Sequence, residues 1–186
     1  MLKKEIRKIF KEKRHELTSD LRNEWSKAIC SRLLEIVSLE GKEVSVFLPI
    51  ERFNEVLTWD ILDQNKANFY LPIVQKDQSL VHIKYENRDQ LQISEWGIPE
   101  PTYGEEVTAD VMDIVLVPLL AVDEEGNRVG YGAGFYDRFL KSCKQNCQFI
   151  GLGFYLPIQK ISDIHEADIP LHAYVHVNGV KKFENQ

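Results

Sequence analysis

Apolar residues recur at helical spacing over the first part of the chain. They stand at positions 2, 6, 9, 10 and 17 with charged residues between them, and this spacing predicts an amphipathic helix over Leu2–Leu17. Thr18 or Ser19 can cap a second helix, which is predicted to run to about Val37. Gly41 then ends the helical part of the chain.

Short apolar runs separated by polar segments predict the strands of a sheet. These runs cover residues 44–48, 69–74, 80–85, 114–118 and 149–154. Helices are predicted over residues 59–64 and 135–144. Residues 96–103 contain two prolines and are predicted to form an irregular but ordered loop, and short elements and loops are predicted after Ile164.

The order of these elements predicts the fold class. Strands alternate with helices, and the strands are apolar on both faces, which is typical of an α/β domain with a mostly parallel sheet covered on both sides. A length of 186 residues suits one domain spanning residues 1–186.

Composition and charge narrow the class of protein. The chain is 44% hydrophobic and 28% charged, as ordinary globular proteins are. Its net charge of -6 disfavours a generic nucleic-acid binder, which presents a basic face to phosphates. The one dense basic stretch, 3–14, is interrupted by glutamates, and a solvated helix face is its simplest interpretation.

The N-terminus and the cysteines bear on the compartment. The first residues form no apolar signal-peptide region, and no apolar run approaches the roughly 20 residues that span a bilayer. An odd cysteine count, with Cys30, Cys143 and Cys147, indicates a reducing compartment. Cys143 and Cys147 lack the further ligands that zinc requires, so we interpret them as ordinary thiols in a cytoplasmic protein.

A glycine-rich stretch follows the 114–118 strand and carries the most chemical information. Between Arg128 and Arg138 the sequence is RVGYGAGFYDR. Glycine allows a backbone to approach a ligand closely, and the N–H groups at the start of the next helix favour an anion such as phosphate. A tight strand-to-helix connection explains the same spacing equally well, and the stretch is neither a Walker A motif nor a dinucleotide fingerprint.

The same stretch closely resembles the signature of the 5-formyltetrahydrofolate cyclo-ligases, also called 5,10-methenyltetrahydrofolate synthetases. Further matches follow in the family's order over nearly the whole chain: residues 3–7 with Arg14 and Leu17, FLPI at 47–50, EVLT at 55–58, WGIPEP at 96–101 and HEAD at 165–168. Two segments depart from the family. Residues 172–177 lack an acidic residue and a Thr-Glu pair, and residues 51–54 are slightly longer than in some relatives.

The resemblance implies an activity and a fold. The activity is ATP-dependent cyclisation of 5-formyltetrahydrofolate to 5,10-methenyltetrahydrofolate with release of ADP and phosphate, in which the formyl oxygen is phosphorylated and N10 attacks. Mg²⁺ would accompany ATP, and the protein would act as a monomer without nucleic acid or membrane. The implied fold has three α/β/α layers around a mostly parallel sheet, similar to NagB, RpiA and the CoA transferases.

The resemblance also implies a role for each matching residue. The ATP-binding residues are Lys3, Lys4, Glu5, Ile6, Arg7, Arg128, Val129, Gly130, Tyr131, Gly132, Ala133, Gly134, Phe135 and Tyr136. The folate-binding residues are Arg7, Leu48, Glu55, Trp96, Tyr131, Gly132, Ala133, Gly134 and Phe135. The catalytic set is Lys3, Arg7, Glu55 and Arg128, and the metal ligands are Asp137 and Asp168.

Taken singly, these residues have structural alternatives. Lys3 and Arg7 could be helix surface, and Leu48, like Trp96, could be core. Glu55 could be a loop charge, and the aspartate at 168 could cap a turn. Their joint order along the chain favours the functional interpretation.

Two other functions stay open at this point. One is a different ATP-dependent transferase on the same scaffold, since fold alone does not fix function. The other is a catalytically silent protein that sequesters folate or nucleotide. ATP consumption that depends on 5-formyltetrahydrofolate would separate all three.

Overall fold

The structure is a computed structural model and describes residues 1–64, 66–77, 79–95 and 97–184. Its helices are α1 (Lys3–His15), α2 (Ser19–Ile36), α3 (Trp59–Leu62) and α4 (Phe135–Lys141). Its strands are β1 (Glu43–Ser45), β2 (Asn68–Val74), β3 (Leu80–Lys84), β4 (Leu91–Ile93), β5 (Pro99–Pro101), β6 (Glu106–Val107), β7 (Ile114–Pro118), β8 (Ala121–Val122), β9 (Arg128–Val129), β10 (Gln148–Leu152), β11 (Ala173–His176) and β12 (Gly179–Lys182).

Eight of these strands form one sheet in the order β12-β11-β10-β7-β1-β2-β3-β6. The five strands from β11 to β2 run parallel to one another. At the two ends of the sheet, β12, β3 and β6 are antiparallel to their neighbours. The prediction of an α/β fold with a mostly parallel sheet is therefore confirmed.

The central strand β7 shows why the sheet is covered on both faces. Ile114 and Leu116 pack in one core cluster with residues of α2 and α3. Val115 and Val117 point the other way and pack in a second cluster with residues of α4. Successive side chains of a strand alternate between faces, so an unbroken apolar run requires a layer of helix on each side.

Helix α1 packs on the β8–β9 hairpin at the end of the parallel strands. Its apolar face buries Ile6 and Phe10 against Ala121 and Val129. This contact carries the first residues of the chain to the glycine-rich stretch that follows β9. No helix of the described residues is long and apolar enough to cross a membrane.

The clearest differences between the predicted and observed strands concern residues 44–48 and two short hairpins. Residues 44–48 were expected to be one strand, but β1 ends at Ser45. The chain leaves the sheet there, and the carbonyl of Phe47 accepts a hydrogen bond of 2.5 Å from the Thr58 hydroxyl. The hairpins β4–β5 and β8–β9 were not anticipated, because strands of two or three residues are too short to show a periodic pattern.

Candidate active site

A cavity of about 460 Å³ lies at the carboxyl ends of β1, β2 and β7. Open α/β sheets place their ligands at this edge, and the volume falls in the range of about 300–1,000 Å³ that is typical of small-molecule sites. One wall comes from α1 and the glycine-rich turn, and the opposite wall comes from residues 47–55, β2 and the segment 98–100. The site is therefore assembled from at least five separate parts of the chain.

Four charged residues form what we call the ion-paired half of the cavity: Lys3, Arg128, Asp137 and Asp168. Lys3 Nζ pairs with Asp168 Oδ2. Arg128 Nη2 pairs with Asp137 Oδ1 at 2.5 Å, and Nη1 donates to the carbonyl of Ile169. Both cations and both carboxylates line the cavity, so each positive charge already has an acidic partner.

In this half of the cavity, burial and neighbouring charges shift the pKa values of Arg128 and Asp168 in opposite directions. Burial lowers the pKa of Arg128, although Asp137 opposes that shift. Burial alone would raise the pKa of Asp168, but the backbone N–H of His165, the Lys3 ammonium and Arg128 outweigh it and lower that pKa overall. The Asp168 carboxylate is therefore held in its charged form.

The glycine-rich turn carries the chain from β9 into α4 beside these charges. Gly132 and Gly134 have φ values of 107° and 71°, in the left-handed region that favours glycine. A Cβ on Gly132 would lie 3.4 Å from Arg7 Nε, whereas a Cβ on Gly130 would meet nothing within 4 Å. Arg7 Nε in turn donates to the Gly130 carbonyl at 3.0 Å, which ties α1 to the turn.

A second group, which we call the unpaired half, consists of Arg14, Glu55, Tyr131 and Tyr136. Among the described residues, Arg14 Nε, Glu55 Oε1 and the Tyr136 hydroxyl are buried without a hydrogen-bond partner. Leaving such an atom unsatisfied costs about 1–3 kcal/mol. Native proteins satisfy most of their buried polar atoms. Glu55 and Tyr136 line the cavity whereas Arg14 does not, so the unpaired atoms of Glu55 and Tyr136 indicate a place where a ligand completes the bonding.

Glu55 is the acidic member of the unpaired half and is 2% exposed. Its Oε2 accepts a hydrogen bond of 2.8 Å from the backbone N–H of Ile50. Burial raises the pKa of its carboxyl, and Arg14, the Ile50 N–H, Tyr131 and Arg22 oppose the rise. The Tyr131 hydroxyl is thus close enough to favour the charged form of Glu55. Its position nevertheless leaves Glu55 Oε1 without a hydrogen bond.

Arg14 is the cationic member of the unpaired half and is 2% exposed. It donates to the Tyr131 hydroxyl at 2.7 Å and to the carbonyl of Leu119. Within the described part of the chain it makes no ion pair. Its charge acts on Glu55 over a longer distance, so a buried cation and a buried acid face each other across Tyr131.

The structure brings together most of the residues that the sequence singled out. Those that line the cavity are Lys3, Arg7, Leu48, Glu55, Arg128, Gly130, Tyr131, Gly132, Ala133, Gly134, Phe135, Tyr136, Asp137 and Asp168. Four expected ATP-binding residues do not line it. Lys4 is exposed, Glu5 accepts the Leu2 N–H at 2.9 Å, and Ile6 and Val129 are buried under α1. Trp96 lies outside the described residues.

Sequence reasoning missed a large part of the cavity wall. The further lining residues are Phe47, Ile50, Arg52, Phe53, Leu71, Pro72, Val74, Leu80, Ile98, Pro99, Glu100 and Pro118. Most are apolar and continue predicted strands, so their sequence pattern is that of core residues. Five had a visible indication: Phe47 and Ile50 belong to the FLPI match, and Ile98, Pro99 and Glu100 belong to the WGIPEP match.

Asp137 and Asp168 fit a magnesium ion that arrives with phosphate oxygens. Their hydrogen bonds fall on Asp137 Oδ1 and Asp168 Oδ2, so one oxygen of each carboxylate stays available. No group of three or more His, Cys, Asp or Glu side chains in the described ranges could hold a metal alone. Mg²⁺ is commonly held by one or two carboxylates together with substrate phosphates, and this donor set agrees with that pattern.

The fold and the cavity place the chain in the class of α/β proteins that bind a small molecule at the carboxyl edge of a parallel sheet. Within that class, the model of the 5-formyltetrahydrofolate cyclo-ligase family matches residues 1–171. The chain belongs to this family of enzymes, as its sequence motifs predicted.

Individual relatives agree with the family match. The chain is 28% identical over 179 residues to a 5-formyltetrahydrofolate cyclo-ligase of Haemophilus influenzae, covering 91% of this chain and 92% of that protein. The solved 5,10-methenyltetrahydrofolate synthetase of Aquifex aeolicus superposes with a TM-score of 0.86 at 28% identity, covering 100% of this chain and 95% of that one. The Mycoplasma pneumoniae synthetase has the same fold, with a TM-score of 0.74 at 21% identity, covering 94% and 98% of the two chains.

Proposed function

We propose that this protein cyclises 5-formyltetrahydrofolate to 5,10-methenyltetrahydrofolate with conversion of ATP to ADP and phosphate. The proposal rests on one observation beyond family membership: a single cavity joins the ion-paired half, the glycine-rich turn and buried Glu55. The reaction needs one region that neutralises phosphate and a second that orients a polar heterocycle. As part of the same proposal, the chain acts as one domain and as a monomer.

The ion-paired half and the turn would bind the triphosphate of ATP. Lys3, Arg7 and Arg128 supply positive charge, and the backbone of the turn has no side chain at Gly130 or Gly132 to prevent close approach. When bound, Mg²⁺ on Asp137 and Asp168 would neutralise charge on the transferred phosphoryl group. Lys3 and Arg128 would then exchange their carboxylate partners for phosphate oxygens.

The unpaired half would bind the folate. Glu55 Oε1 lacks a donor, and the reduced pterin offers N–H groups that can supply one. The Tyr136 hydroxyl lacks an acceptor or donor and lines the same cavity. A ligand that satisfies both atoms removes a penalty that the free protein bears, which favours binding in one orientation.

The chemistry then requires little covalent participation by the protein. The formyl oxygen attacks the γ-phosphorus and the bond to ADP breaks, which gives an imidate phosphate. The N10 lone pair attacks the formyl carbon, N10 loses its proton, and the carbon–oxygen bond breaks with departure of phosphate. The residues of the cavity contribute by aligning the two substrates and stabilising charge.

One assay tests the proposal. Purified protein is mixed with Mg-ATP and 5-formyltetrahydrofolate, and the methenyl product is followed by its near-ultraviolet absorbance while ADP is measured in parallel. We expect one ADP per methenyl product and no product without ATP. Binding of both substrates without product would favour a silent binding protein, and ADP release that does not depend on folate would favour a different ATP-dependent enzyme.

A further inference from the structure

Two cations lie over a pair of stacked aromatic rings at the wall of the cavity. Phe53 and Tyr131 stack with ring centroids 4.7 Å apart and planes inclined by 19°. The guanidinium of Arg52 lies 4.8 Å from the Phe53 centroid. Lys11 Nζ lies 5.9 Å from Phe53 and 6.0 Å from Tyr131. Arg52 and both rings line the cavity.

These two cations differ from the cations of the ion-paired half, because no acid neutralises them. Lys11 and Arg52 are exposed, and neither makes an ion pair within the part of the chain that the structure describes. The carboxylate next to Arg52 in sequence, Glu51, is taken by Arg22 Nη1 at 2.6 Å. Contact with an aromatic face holds a cation in position without cancelling its charge.

We propose that Lys11 and Arg52 form a carboxylate subsite, the tail subsite, that binds the glutamate end of the folate. The proposal rests on the function proposed above and extends it. A folate has its pterin at one end, an aminobenzoyl ring in the middle and glutamate carboxylates at the other end. With the pterin at Glu55, the stacked rings of Phe53 and Tyr131 offer a flat surface for the aminobenzoyl ring, and the carboxylates reach the two cations.

The chemistry of the cations suits this assignment. Guanidinium matches the planar geometry of a carboxylate, and Lys11 adds a second positive charge close to the same rings. The chain has a net charge of -6, so an anionic substrate is repelled by most of the surface. A local pair of unneutralised cations would attract it to the correct end of the cavity.

The tail subsite makes the effect of a substitution depend on the charge of the substrate. We expect Arg52→Gln and Lys11→Met each to weaken folate binding about threefold, and the double variant about tenfold, as exposed ion pairs do. ATP affinity should not change. Raising the salt concentration should weaken folate binding to the unmodified protein and have less effect on the double variant.

The decisive experiment compares two ligands and four proteins by calorimetry. The ligands are 5-formyltetrahydrofolate and its analogue in which both glutamate carboxylates are carboxamides. The proteins are the unmodified chain, the double variant, and the two single variants. The double variant should lose affinity for the natural ligand only, because the analogue has no charge for the subsite to bind.

Lys13→Met is the matched control. Lys13 is on the same helix and also lies over aromatic rings, 5.1 Å from Phe10 and 5.5 Å from Tyr155. Neither of these rings lines the cavity, whereas Phe53 and Tyr131 beneath Lys11 both do. This variant should bind both ligands as the unmodified chain does. An equal loss in Lys13→Met would mean that general surface charge is responsible, and would overturn the tail subsite.

Two further results would overturn the tail subsite. Both are binding measurements, so they can be told apart from a failure of the proposed enzymatic function. Equal binding of the natural ligand and the uncharged analogue by the unmodified chain would show that the tail carboxylates are not bound. A loss of ATP affinity in the double variant would assign the cations to phosphate. Turnover is measured separately, so a chain that binds the charged tail but forms no product would refute the proposed function alone.

Discussion

The two halves of the cavity solve the problem of burying polar groups in opposite ways. In the ion-paired half, the cations Lys3 and Arg128 already have carboxylate partners. In the unpaired half, Glu55 Oε1 and the Tyr136 hydroxyl line the cavity and have no partner among the described residues, and neither does Arg14 Nε, which lies outside the cavity lining. The first half is stable without a ligand, whereas the second half carries a penalty that a ligand can remove.

This difference has a thermodynamic meaning for binding. An anion that enters the ion-paired half must replace existing contacts, so its net gain is the difference between two sets of ionic bonds. A heterocycle that enters the unpaired half forms hydrogen bonds with atoms that had no partner before. Each such bond removes the cost of an unsatisfied buried atom, about 1–3 kcal/mol. Substitutions in the ion-paired half should therefore change stability, and substitutions in the unpaired half should change ligand binding.

The largest effect on stability is expected from Arg128→Met. This change leaves Asp137 without its cation and removes the bond to the Ile169 carbonyl. Breaking a buried pair by removing one partner costs about 3–5 kcal/mol, and Asp137 is partly exposed, so we expect about 3 kcal/mol from urea denaturation. The control is Arg88→Met, which breaks an exposed pair with Asp63 and should unfold near the same urea concentration as the unmodified chain.

The next effect tests the unpaired half. Glu55→Gln keeps an acceptor for the Ile50 N–H but removes the negative charge. Loss of one hydrogen bond to a charged group costs roughly 1.5–3 kcal/mol, so folate-dependent turnover should fall about tenfold to a hundredfold. The affinity for ATP should stay the same when measured by calorimetry. Equal loss of both ligands would indicate misfolding, and full activity would remove Glu55 from the site.

The same variant should be more stable than the unmodified chain at neutral pH. Burial raises the pKa of Glu55 in the folded state, so the folded chain binds its proton more tightly than the unfolded chain. The stability that this proton provides is present below the unfolded pKa and is lost as pH rises through the folded pKa. Melting curves of Glu55→Gln and the unmodified chain should therefore coincide in acid and separate towards neutral pH.

A smaller effect is expected from the turn that joins the two halves. Gly132→Ala forces a side chain into a φ of 107°, which costs about 1–2 kcal/mol, and its Cβ would lie in ordinary contact with Arg7, 3.4 Å from Nε. Gly130→Ala is the matched control, because a Cβ there meets nothing within 4 Å. Thermal melting should separate the two variants, and the KM for ATP should rise more for Gly132→Ala. Identical behaviour would mean that the turn tolerates any small residue.

The smallest effect on stability is expected from Asp168→Asn. Asparagine keeps an oxygen that can accept from the Lys3 ammonium and the His165 N–H, and the side chains of Lys3 and Asp168 are 14% and 21% exposed, so loss of the charge should cost about 1 kcal/mol or less. The pKa of Asp168 is lowered, so its stabilisation is present above the unfolded pKa and disappears as pH falls through the folded value. The Mg²⁺ concentration needed for half-maximal turnover should rise, and an unchanged requirement would exclude Asp168 as a ligand.

The sequence predicted the two halves unequally. Lys3, Arg128 and Asp137 stand in motifs whose order is visible along the chain, and the glycine-rich turn was recognisable from its spacing. Arg14 was part of the N-terminal family match but received no role, and nothing in its sequence context shows that tertiary packing buries it against Leu119 and Tyr131. Burial of a charge depends on which distant segments cover it, and that information is absent from local periodicity.

Short strands were not predicted from the sequence, for a related reason. The helices α1 and α2 and the strands β2 and β7 have enough residues to show a period. By contrast, β8 and β9 have two residues each, which is too short a segment to show a period. The cavity wall at Phe53 was missed because an aromatic residue between two motifs has the same pattern whether it lies in a core or faces a ligand.

The docking of α1 onto the β8–β9 hairpin has a consequence for synthesis on the ribosome. Ile6 and Phe10 are made first, but their partners in that core extend from Leu120 to Ile161. At about 5–20 residues per second, the nascent chain carries this apolar helix face uncovered for roughly six to thirty seconds. The helix that supplies Lys3 and Arg7 therefore joins the fold late, so the cavity is completed only when nearly the whole chain has left the exit tunnel.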